Sequence, residues 1–471
     1  MSRNKTLLKN TLIILFGKVC TQLISYLLLP VYTTVLTTEE YGTVDLLITY
    51  VTLIAPVITL QMEAAVFRFL IDVRDDADGA SRIMTNSMVC IGATIGIFLV
   101  GYGIVNCFIN FQYALLFAAC IVANAMVSIF LQMSRGLGDN VTYAIGSAIS
   151  GIFTIVFNIL FIVVFPFGVQ GMLGATALAQ LLGTVYIVIK IKAFRYFNVQ
   201  KLDFAVIREM SHYSLPLIPN SLSWWVISVS DRTLVTMFLG VQANGILAVA
   251  TKFATIVVNV FAIFNLSWTE SVAVHIHDED GADYISDISN QCFKLFGAGG
   301  MVLIMACAVF FKYLVGPNFS AAYDLIPLLV IGSVLNVLQT LYGIIYIGLK
   351  DTKQASKSSI MAAIVNITTD LLLIKVVGIY AAAISTICAM LFLSIYRYLD
   401  VNKFMSIRLD WKNALALGAM YALVCLVYHT KQPYLIAVGF GLSILVCILW
   451  NKKLVGDMLK AVVKKIGHSN R

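Results

Sequence analysis

Fourteen apolar stretches follow one another along this 471-residue chain, with lysine and arginine gathered into alternate gaps between them. A run of about 20 apolar residues, coiled as helix, matches the hydrocarbon thickness of a bilayer. Only 12% of the residues are charged and 60% are hydrophobic, too little polar surface to keep a soluble domain of this length dissolved. The pattern predicts a polytopic membrane protein with spans at 11–36, 42–70, 83–106, 111–134, 141–165, 169–190, 211–239, 242–270, 286–314, 321–349, 355–375, 378–399, 413–429 and 434–450. Helix is the expected form, because a lipid-facing backbone must satisfy its own hydrogen bonds. The runs are too long and too uniformly apolar for the alternating strands of an outer-membrane barrel.

The basic residues orient the spans. One side receives Arg3, Lys5 and Lys9, then Arg68, Arg74, Arg82 and Arg135, then Lys190, Lys192, Arg195, Lys201 and Arg208. The same side receives Lys350, Lys353, Lys357, Arg397, Lys403, Arg408 and Lys412, and finally Lys452, Lys453, Lys460, Lys464, Lys465 and Arg471. The opposite side holds Lys312, Lys375 and Lys431. By the positive-inside bias both termini are expected in the cytoplasm of a multi-pass protein of the cell membrane. The loop at 271–285 carries no Lys or Arg and is the exception. The net charge of +8 is then a cytoplasmic surface facing anionic lipid headgroups, with no implication of nucleic acid. The tail DMLKAVVKKIGHSNR is expected to lie on that surface. The first apolar run is too long for a signal peptide. The nine cysteines fall in or beside spans without a CxxC pair and read as apolar packing residues, so neither a disulfide framework nor a metal is expected.

The chain also repeats itself. LTTEEYG at 36–42 answers LGVQANG at 239–245, each joining the first and second spans of a six-span block. GLGDNVTYAIGS at 136–147 resembles GLKDTKQASKSS at 348–359, and GVQGMLGATA at 168–177 resembles GIYAAAISTI at 378–387. Asn158 and Asp370 fall at equivalent positions. Three matches in one order, at offsets of 203, 212 and 210, indicate a duplication. Six spans per block is even, so the two blocks enter the membrane alike, a parallel repeat of the kind that encloses a substrate route. The expected organisation is a six-helix lobe at 1–200, a second at 201–405, additional spans 13 and 14 at 406–451, and a basic tail at 452–471.

Two segments carry a resemblance. LLPVYTTVLTTEEYG at 28–42 has a proline-containing first span and a turn ending in Tyr-Gly, and SDRTLVTMFLG at 230–240 is followed by an Asn-Gly turn and AVATKF. In these the chain resembles the polysaccharide transporter (Wzx-type oligosaccharide flippase) family of the multidrug/oligosaccharidyl-lipid/polysaccharide exporter superfamily, over essentially its whole length. The resemblance implies two six-helix bundles in a V around a central cavity, here with two extra C-terminal helices. It implies movement of undecaprenyl-pyrophosphate-linked oligosaccharide between leaflets by alternating access, with no enzyme activity and no cofactor. The coupling ion and any polymerase partner stay open, and the count of 14 spans also resembles the lipid II flippase branch.

Ionisable residues at bilayer depth are costly unless they face water or a partner, so each is a functional candidate. Lys18 lies roughly 12 Å into span 1 and shares a face with Gln22. Glu63 sits in the inner half of span 2, with Arg68 near its cytoplasmic mouth. On span 7, Asn220, Trp224 and Asp231 share a face of roughly 80°, and Arg232 points roughly 100° away from Asp231. On span 8, Lys252, Asn259 and Glu270 fall within about 20° of one another. A pyrophosphate needs compensating cations and donors, and a sugar suits Asn, Gln and Trp, so these residues are the candidate substrate contacts. Bland readings stand beside them. Lys18 can snorkel to the interface, Arg68 can pair with Asp72 one turn on, and Arg232 can pair with Glu63 or Asp231. Lys294 reads as structural. Asp370 and Asn158 are either an ion-coupling position or a repeated interhelical hydrogen bond. HIHDEDGAD at 275–283 reads as a solvated acidic loop.

Two rival functions are distinguishable. A membrane enzyme of polysaccharide assembly would need a sizeable loop with acids or a metal, and the loops opposite the basic side are only a few residues long. A cation-coupled multidrug exporter of the same superfamily would prefer an acidic, aromatic cavity. Lys18, Arg232, Lys252 and Lys294 nearly balance Asp45, Glu63, Asp231, Asp370 and Glu270, so charge alone does not separate exporter from flippase.

Overall fold

The computed structural model describes residues 26–349 and 351–452, the side chains at 219–228, 266–267 and 352 excepted. Among these residues the regular structure is helical. The first half contains α1 (Leu29–Val35), α2 (Thr38–Ile58), α3 (Met62–Asp72), α4 (Ala77–Ile109), α5 (Ala114–Gly136), α6 (Asn140–Asn158) and α7 (Gly168–Lys190). After α8 (Phe204–Ser214) come α9 (Leu217–Leu239), α10 (Val241–His275), α11 (Gly281–Leu314), α12 (Ala322–Gly348), α13 (Thr352–Val377) and α14 (Tyr380–Val401). The last two are α15 (Trp411–His429) and α16 (Pro433–Trp450).

Twelve helices of the described residues are long and apolar enough to cross a membrane. The expected first span lies largely outside the described residues, with α1 its visible end. The expected seventh forms α9, a helix of 23 residues that is not among the twelve. The polytopic all-α class is as expected; of the fourteen spans, twelve are seen as such. The expected basic tail, from residue 453 onward, lies outside the described residues.

The acidic residues at loop ends are largely helix caps. Thr37 and Glu40 form a reciprocal capping box at the start of α2: the Glu40 amide donates to Thr37 Oγ1 at 3.1 Å and the Thr37 amide to Glu40 Oε2 at 2.9 Å. That arrangement explains the TTEE preceding Tyr41-Gly42. Asp139 accepts from the Thr142 amide at 2.9 Å and Asp351 from the Gln354 amide at 3.1 Å, opening α6 and α13. The residue before each of these helices closes the previous one in the same way, Asp139 N–H on Ser134 O at 2.9 Å and Asp351 N–H on Tyr346 O at 2.8 Å. Gly168 and Gly378 both take positive φ, 55° and 60°. Positions paired by the sequence offsets therefore adopt paired geometry.

Span 2 departs from its expected continuity over 42–70. It is broken at Thr59–Gln61, where Leu60 and Gln61 both take left-handed φ, 53° and 55°. The Gln61 amide donates to Pro56 O at 2.9 Å and the Leu60 amide to Val57 O at 3.1 Å, the two bonds that close a helix in the Schellman manner. A left-handed residue other than glycine costs about 1–2 kcal/mol, so the packing around the break must offset two such residues. Pro56, inside α2, contributes no N–H, but its carbonyl is the acceptor that closes the turn. A second irregularity follows Asn158, where α6 widens into a π-helical turn over Ile159–Val164.

The chain divides into two compact units, 1–236 with 240–245, and 237–239 with 246–471. Most of α9, the opening helix of the second repeat, thus groups with the first unit, later than the repeat boundary near 200. The first unit has two apolar clusters. One joins α3, α4 and α5 through Met62, Leu70, Met84 and Met133; the other joins α2, α5 and α7 through Val44, Val51, Ile121 and Leu173. Within the second unit α15 and α16 pack on α11, where Tyr421 Oη donates to Gly297 O at 2.8 Å and Gly439 lies against Met305.

The first repeat motif meets its own counterpart inside the first unit. A Cβ on Gly42 would overlap the carbonyl oxygen of Val241, and a Cβ on Gly245 would overlap that of Thr38. Thr38 and Val241, like Gly42 and Gly245, are separated by the offset of 203, so the contact is reciprocal. Asn244 Nδ2 donates to Gly42 O at 2.9 Å across it. We expect Gly42→Ala and Gly245→Ala each to cost about 2–3 kcal/mol through overpacking, read as a lower midpoint of thermal unfolding in detergent. An unchanged midpoint in both variants would show that the backbones are not held at this distance.

Candidate functional site

Along α10 the helix is continuous, so the phase argument for Lys252, Asn259 and Glu270 holds: all three remain on one face. Lys252 and Asn259 are half-buried and Glu270 is exposed. Lys18 and Gln22 lie outside the described residues. Asn220 and Trp224 lie on α9, but their side chains are outside the described set. Asp231, further along α9, is half-buried.

Arg232 takes a partner that none of the sequence readings named. Its Nε lies 3.0 Å from Asp45 Oδ2 and its Nη1 donates to Thr49 Oγ1 at 3.0 Å. Neither Glu63 nor Asp231 is involved in that pair. Tyr50 and Thr233, the next residue on each helix after Thr49 and Arg232, share a hydrogen bond of 3.2 Å, so α9 is riveted to α2 by polar contacts. Asp45 and Thr49 are i,i+4 on α2 and present one acidic and one hydroxyl group to a single cation, a pattern that marks a site on α2 without naming its partner.

Arg68 pairs with Asp72 at 2.6 Å, both half-exposed, as one reading of the i,i+4 spacing expected. Glu63 is half-buried just beyond the break in span 2, where Thr59 Oγ1 donates to its Oε2 at 2.7 Å. The break thus presents a carboxylate and a hydroxyl across its own turn. Glu63 and Arg68 are five residues apart on α3 and so face different ways.

Asn158 and Asp370 are both fully buried, each on the helix of a closely packed pair, α6 with α7 and α13 with α14. Asn158 Nδ2 donates to Thr154 O at 2.7 Å, while its Oδ1 is buried without a hydrogen-bond partner among the described residues. One turn before Asp370, Asn366 Nδ2 donates to Ser385 Oγ on α14 at 3.2 Å. Asp370 is thus buried one turn from an interhelical hydrogen bond of its own unit, at the position that the sequence offset pairs with the neutral amide of Asn158.

Arg397 was placed by its sequence among the loop cations. The structure buries it inside α14 at 4% exposure. Nε donates to Ser358 Oγ at 3.2 Å, Nη1 to Gln339 O at 3.2 Å and to Gln339 Oε1 at 2.6 Å. Nη2 donates to Ser359 Oγ at 3.0 Å and, at 3.5 Å, to Ala355 O. Each of the five guanidinium N–H groups thus has an acceptor, and Gly343 lies flat against Nη1, leaving room for no side chain. One turn on, Asp400 accepts from Tyr346 Oη and Gln354 Nε2, both at 2.8 Å, and pairs with Lys403 at 2.9 Å. Gln354 and Ser358 of the QASKSS segment were the available signal, since they lie i,i+4 on one face of α13.

The first unit solves the same position differently. By the repeat offsets Ile187 answers Arg397 and Gly146 answers Ser358, and Ile187 packs directly on Gly146. An apolar contact in one repeat is a charged, hydrogen-bonded one in the other. Outside the spans, Arg82 donates to Asp203, and this bond holds the Asp203 carboxyl below the usual carboxylate range. Among the described residues, no cluster of three or more His, Cys, Asp or Glu could hold a metal; His275 Nδ1 instead lies 2.7 Å from Asp278 Oδ2. In a double-mutant cycle, Asp45→Asn and Arg232→Gln should show a coupling of about 1–3 kcal/mol, measured by chemical denaturation. Additive single effects would mean the pair does not hold α9 to α2.

The comparisons bear on this arrangement. An inward-facing multidrug resistance MATE family transporter of the MOP superfamily superposes with a TM-score of 0.66 at 15% identity, over 84% of this chain and 95% of that one. The lipid II flippase MurJ in its inward closed conformation gives 0.64 at 14% identity, over 97% and 99%. A mutant of the Vibrio cholerae MATE transporter VcmN gives 0.58 at 15% identity, over 85% and 96%. At these identities the likeness is one of fold. Curated protein sequences give no significant match. A family model described as polysaccharide biosynthesis protein matches residues 7–269, more than half of the chain. The chain is therefore a member of the polysaccharide biosynthesis protein family, built on the fold of the MOP superfamily of membrane transporters and flippases.

Proposed function

We propose that the protein is a flippase that moves an undecaprenyl-pyrophosphate-linked oligosaccharide from the cytoplasmic to the outer leaflet of the cell membrane, by alternating access, for surface polysaccharide synthesis. The family match over residues 7–269 carries this reading. It is supported by the likeness in fold to a lipid II flippase over 97% of the chain. The lobes that rock against one another are taken as 1–200 and 201–405, with both termini cytoplasmic, because the basic residues crowd one set of loops. The additional helices 406–451 and the tail 452–471 stand outside the repeat.

The headgroup is multiply anionic and polyhydroxylated, and its lipid tail can remain in the bilayer. Lys252 supplies charge on the same face of α10 as Asn259 and Glu270, and Lys18 with Gln22 is assigned the matching role on span 1. Asn220, Trp224 and Asp231 on α9 complete the sugar contacts. Arg68 stands at the cytoplasmic mouth. Glu63, bonded to Thr59 across the break in span 2, is placed where α2 and α3 change direction; broken helices are the usual place for such groups in transporters. Arg232 acts on substrate only through its pair with Asp45, so its role is to position α9. Asp370, buried beside Asn366 and Ser385, is the candidate coupling site for a proton or sodium ion. Asn158 is its neutral counterpart. No step calls for an enzyme, and a polymerase partner would collect the product.

A second reading, export of organic cations, has the likeness to multidrug MATE transporters in its favour. Flipping of a fluorescent lipid-linked oligosaccharide in proteoliposomes, beside uptake of an organic cation, separates the two. Transport of the cation alone would replace the flippase reading. Lys252→Ala should abolish flipping with insertion and monodispersity unchanged, and parental rates in that variant would remove Lys252 from the site. Lys18→Ala should weaken binding of the lipid pyrophosphate about tenfold, the scale of one charge-assisted contact; equal affinity would return Lys18 to a snorkelling role.

A further inference from the structure

Three lysines lie on the side of the membrane that the basic residues avoid, and two of them line one cavity. Lys312, in the last turn of α11, and Lys431, in the turn between α15 and α16, border a cavity of about 470 Å³ with Ser320, Tyr313 and Tyr323. Its remaining wall is apolar, formed by Val309, Ile436 and Ala437 among others. The third, Lys375, is elsewhere, over the ring of Phe238. Snorkelling would carry isolated lysines toward water one by one; it gives no reason for two to share a cavity roofed by tyrosines.

The local charge is unbalanced. Asp324 lies 3.2 Å from Lys431 and 3.7 Å from His429, so one carboxylate serves Lys431. Lys312 sits over the Tyr313 ring and has no ion pair among the described residues. Both lysines are exposed. Tyr323 is fixed: it stacks on Tyr428 at 4.1 Å, and each hydroxyl donates to the other residue's carbonyl, at 3.2 and 2.9 Å. A rigid aromatic wall, two ammonium groups and a free-standing serine hydroxyl surround an opening whose floor is hydrocarbon. Next to it α16 presents Leu435 and Val438 outward, as a lipid-facing helix does.

We propose that this cavity binds the phosphodiester headgroup of an anionic glycerophospholipid. The lysines and Ser320 would engage the phosphate, and the first methylenes of the acyl chains would lie on Val309, Ile436 and Ala437. The amphipathic lining selects a lipid over a free anion, because an inorganic phosphate would use only half of it. With the orientation proposed above the lipid belongs to the outer leaflet, and it clamps α15 and α16 to α11. The inference goes beyond the translocation reading and does not need it to be correct.

The test uses the full chain, purified in detergent, offered phosphatidylglycerol and phosphatidylcholine in equal amounts and read by native mass spectrometry. The parent should retain phosphatidylglycerol selectively. Lys312→Gln/Lys431→Gln should lose about thirtyfold of that retention, the scale of two lysines at a phosphate surface. Asp324→Asn should raise it, because the competing carboxylate is removed while both cations remain; a role confined to packing would not produce that rise. The same preference in the double variant overturns the proposal, as does retention unmoved or lowered by Asp324→Asn. Displacement of the lipid by millimolar inorganic phosphate would show a site for a free anion and would overturn it equally. Flipping rates, measured separately, report on the other reading.

Discussion

Within hydrocarbon no water is available to complete a hydrogen bond, and this constraint governs every part of the molecule. It makes the described regular structure helical, and it turns each residual polar group into something that must be housed. The housings differ. Arg397 meets five neutral acceptors, Arg232 meets a carboxylate and a hydroxyl, and Asn158 satisfies its amide on its own helix while its oxygen finds no hydrogen bond among the described residues. Breaking a buried charged pair leaves its partner stranded, which is costly. Such contacts fix which helix lies beside which more strictly than apolar packing, since leucine finds lipid as congenial as protein.

That logic also explains the reciprocal contact of the first repeat motif. Gly42 and Gly245 bring backbones together closely enough that a methyl group has no room, and Asn244 bonds across the junction. Small residues at a membrane helix interface permit close approach where no hydrophobic force drives association. The Tyr-Gly and Asn-Gly pairs, which read as turns in the sequence, lie instead in the opening turns of α2 and α10 and are the two faces of one joint. Asp45 with Arg232, and Tyr50 with Thr233, extend the same joint along α2 and α9.

Much of the fold is legible in the sequence. Span length depends on bilayer thickness, and repeat offsets survive as paired caps at Asp139 and Asp351 and paired left-handed glycines at 168 and 378. What could not be read were features that composition does not mark. The break at Leu60–Gln61 occurs at residues with no turn signature, because its carbonyl bonds and surrounding packing, rather than a glycine, hold the left-handed pair. Arg397 was misread because hydropathy treats a charge near a span end as a loop residue, whereas Gly343 and the serines of α13 make a slot for it. The partner of Arg232 was missed because Asp45 lies 187 positions away in the chain. For the candidate substrate residues, spacing gave faces, and the unbroken α10 preserves the one that holds Lys252; what those faces touch depends on packing that helical phase does not encode.

The unequal treatment of one duplicated position has a mechanical consequence. In the second unit, sliding α14 past α13 means surrendering the bonds from Arg397 to Ser358 and Ser359. In the first, the corresponding contact of α6 with α7 is apolar, Ile187 packed closely on Gly146. Pulling α13 from α14 would therefore strand a buried cation, whereas parting α6 from α7 at the matching position would expose only hydrocarbon.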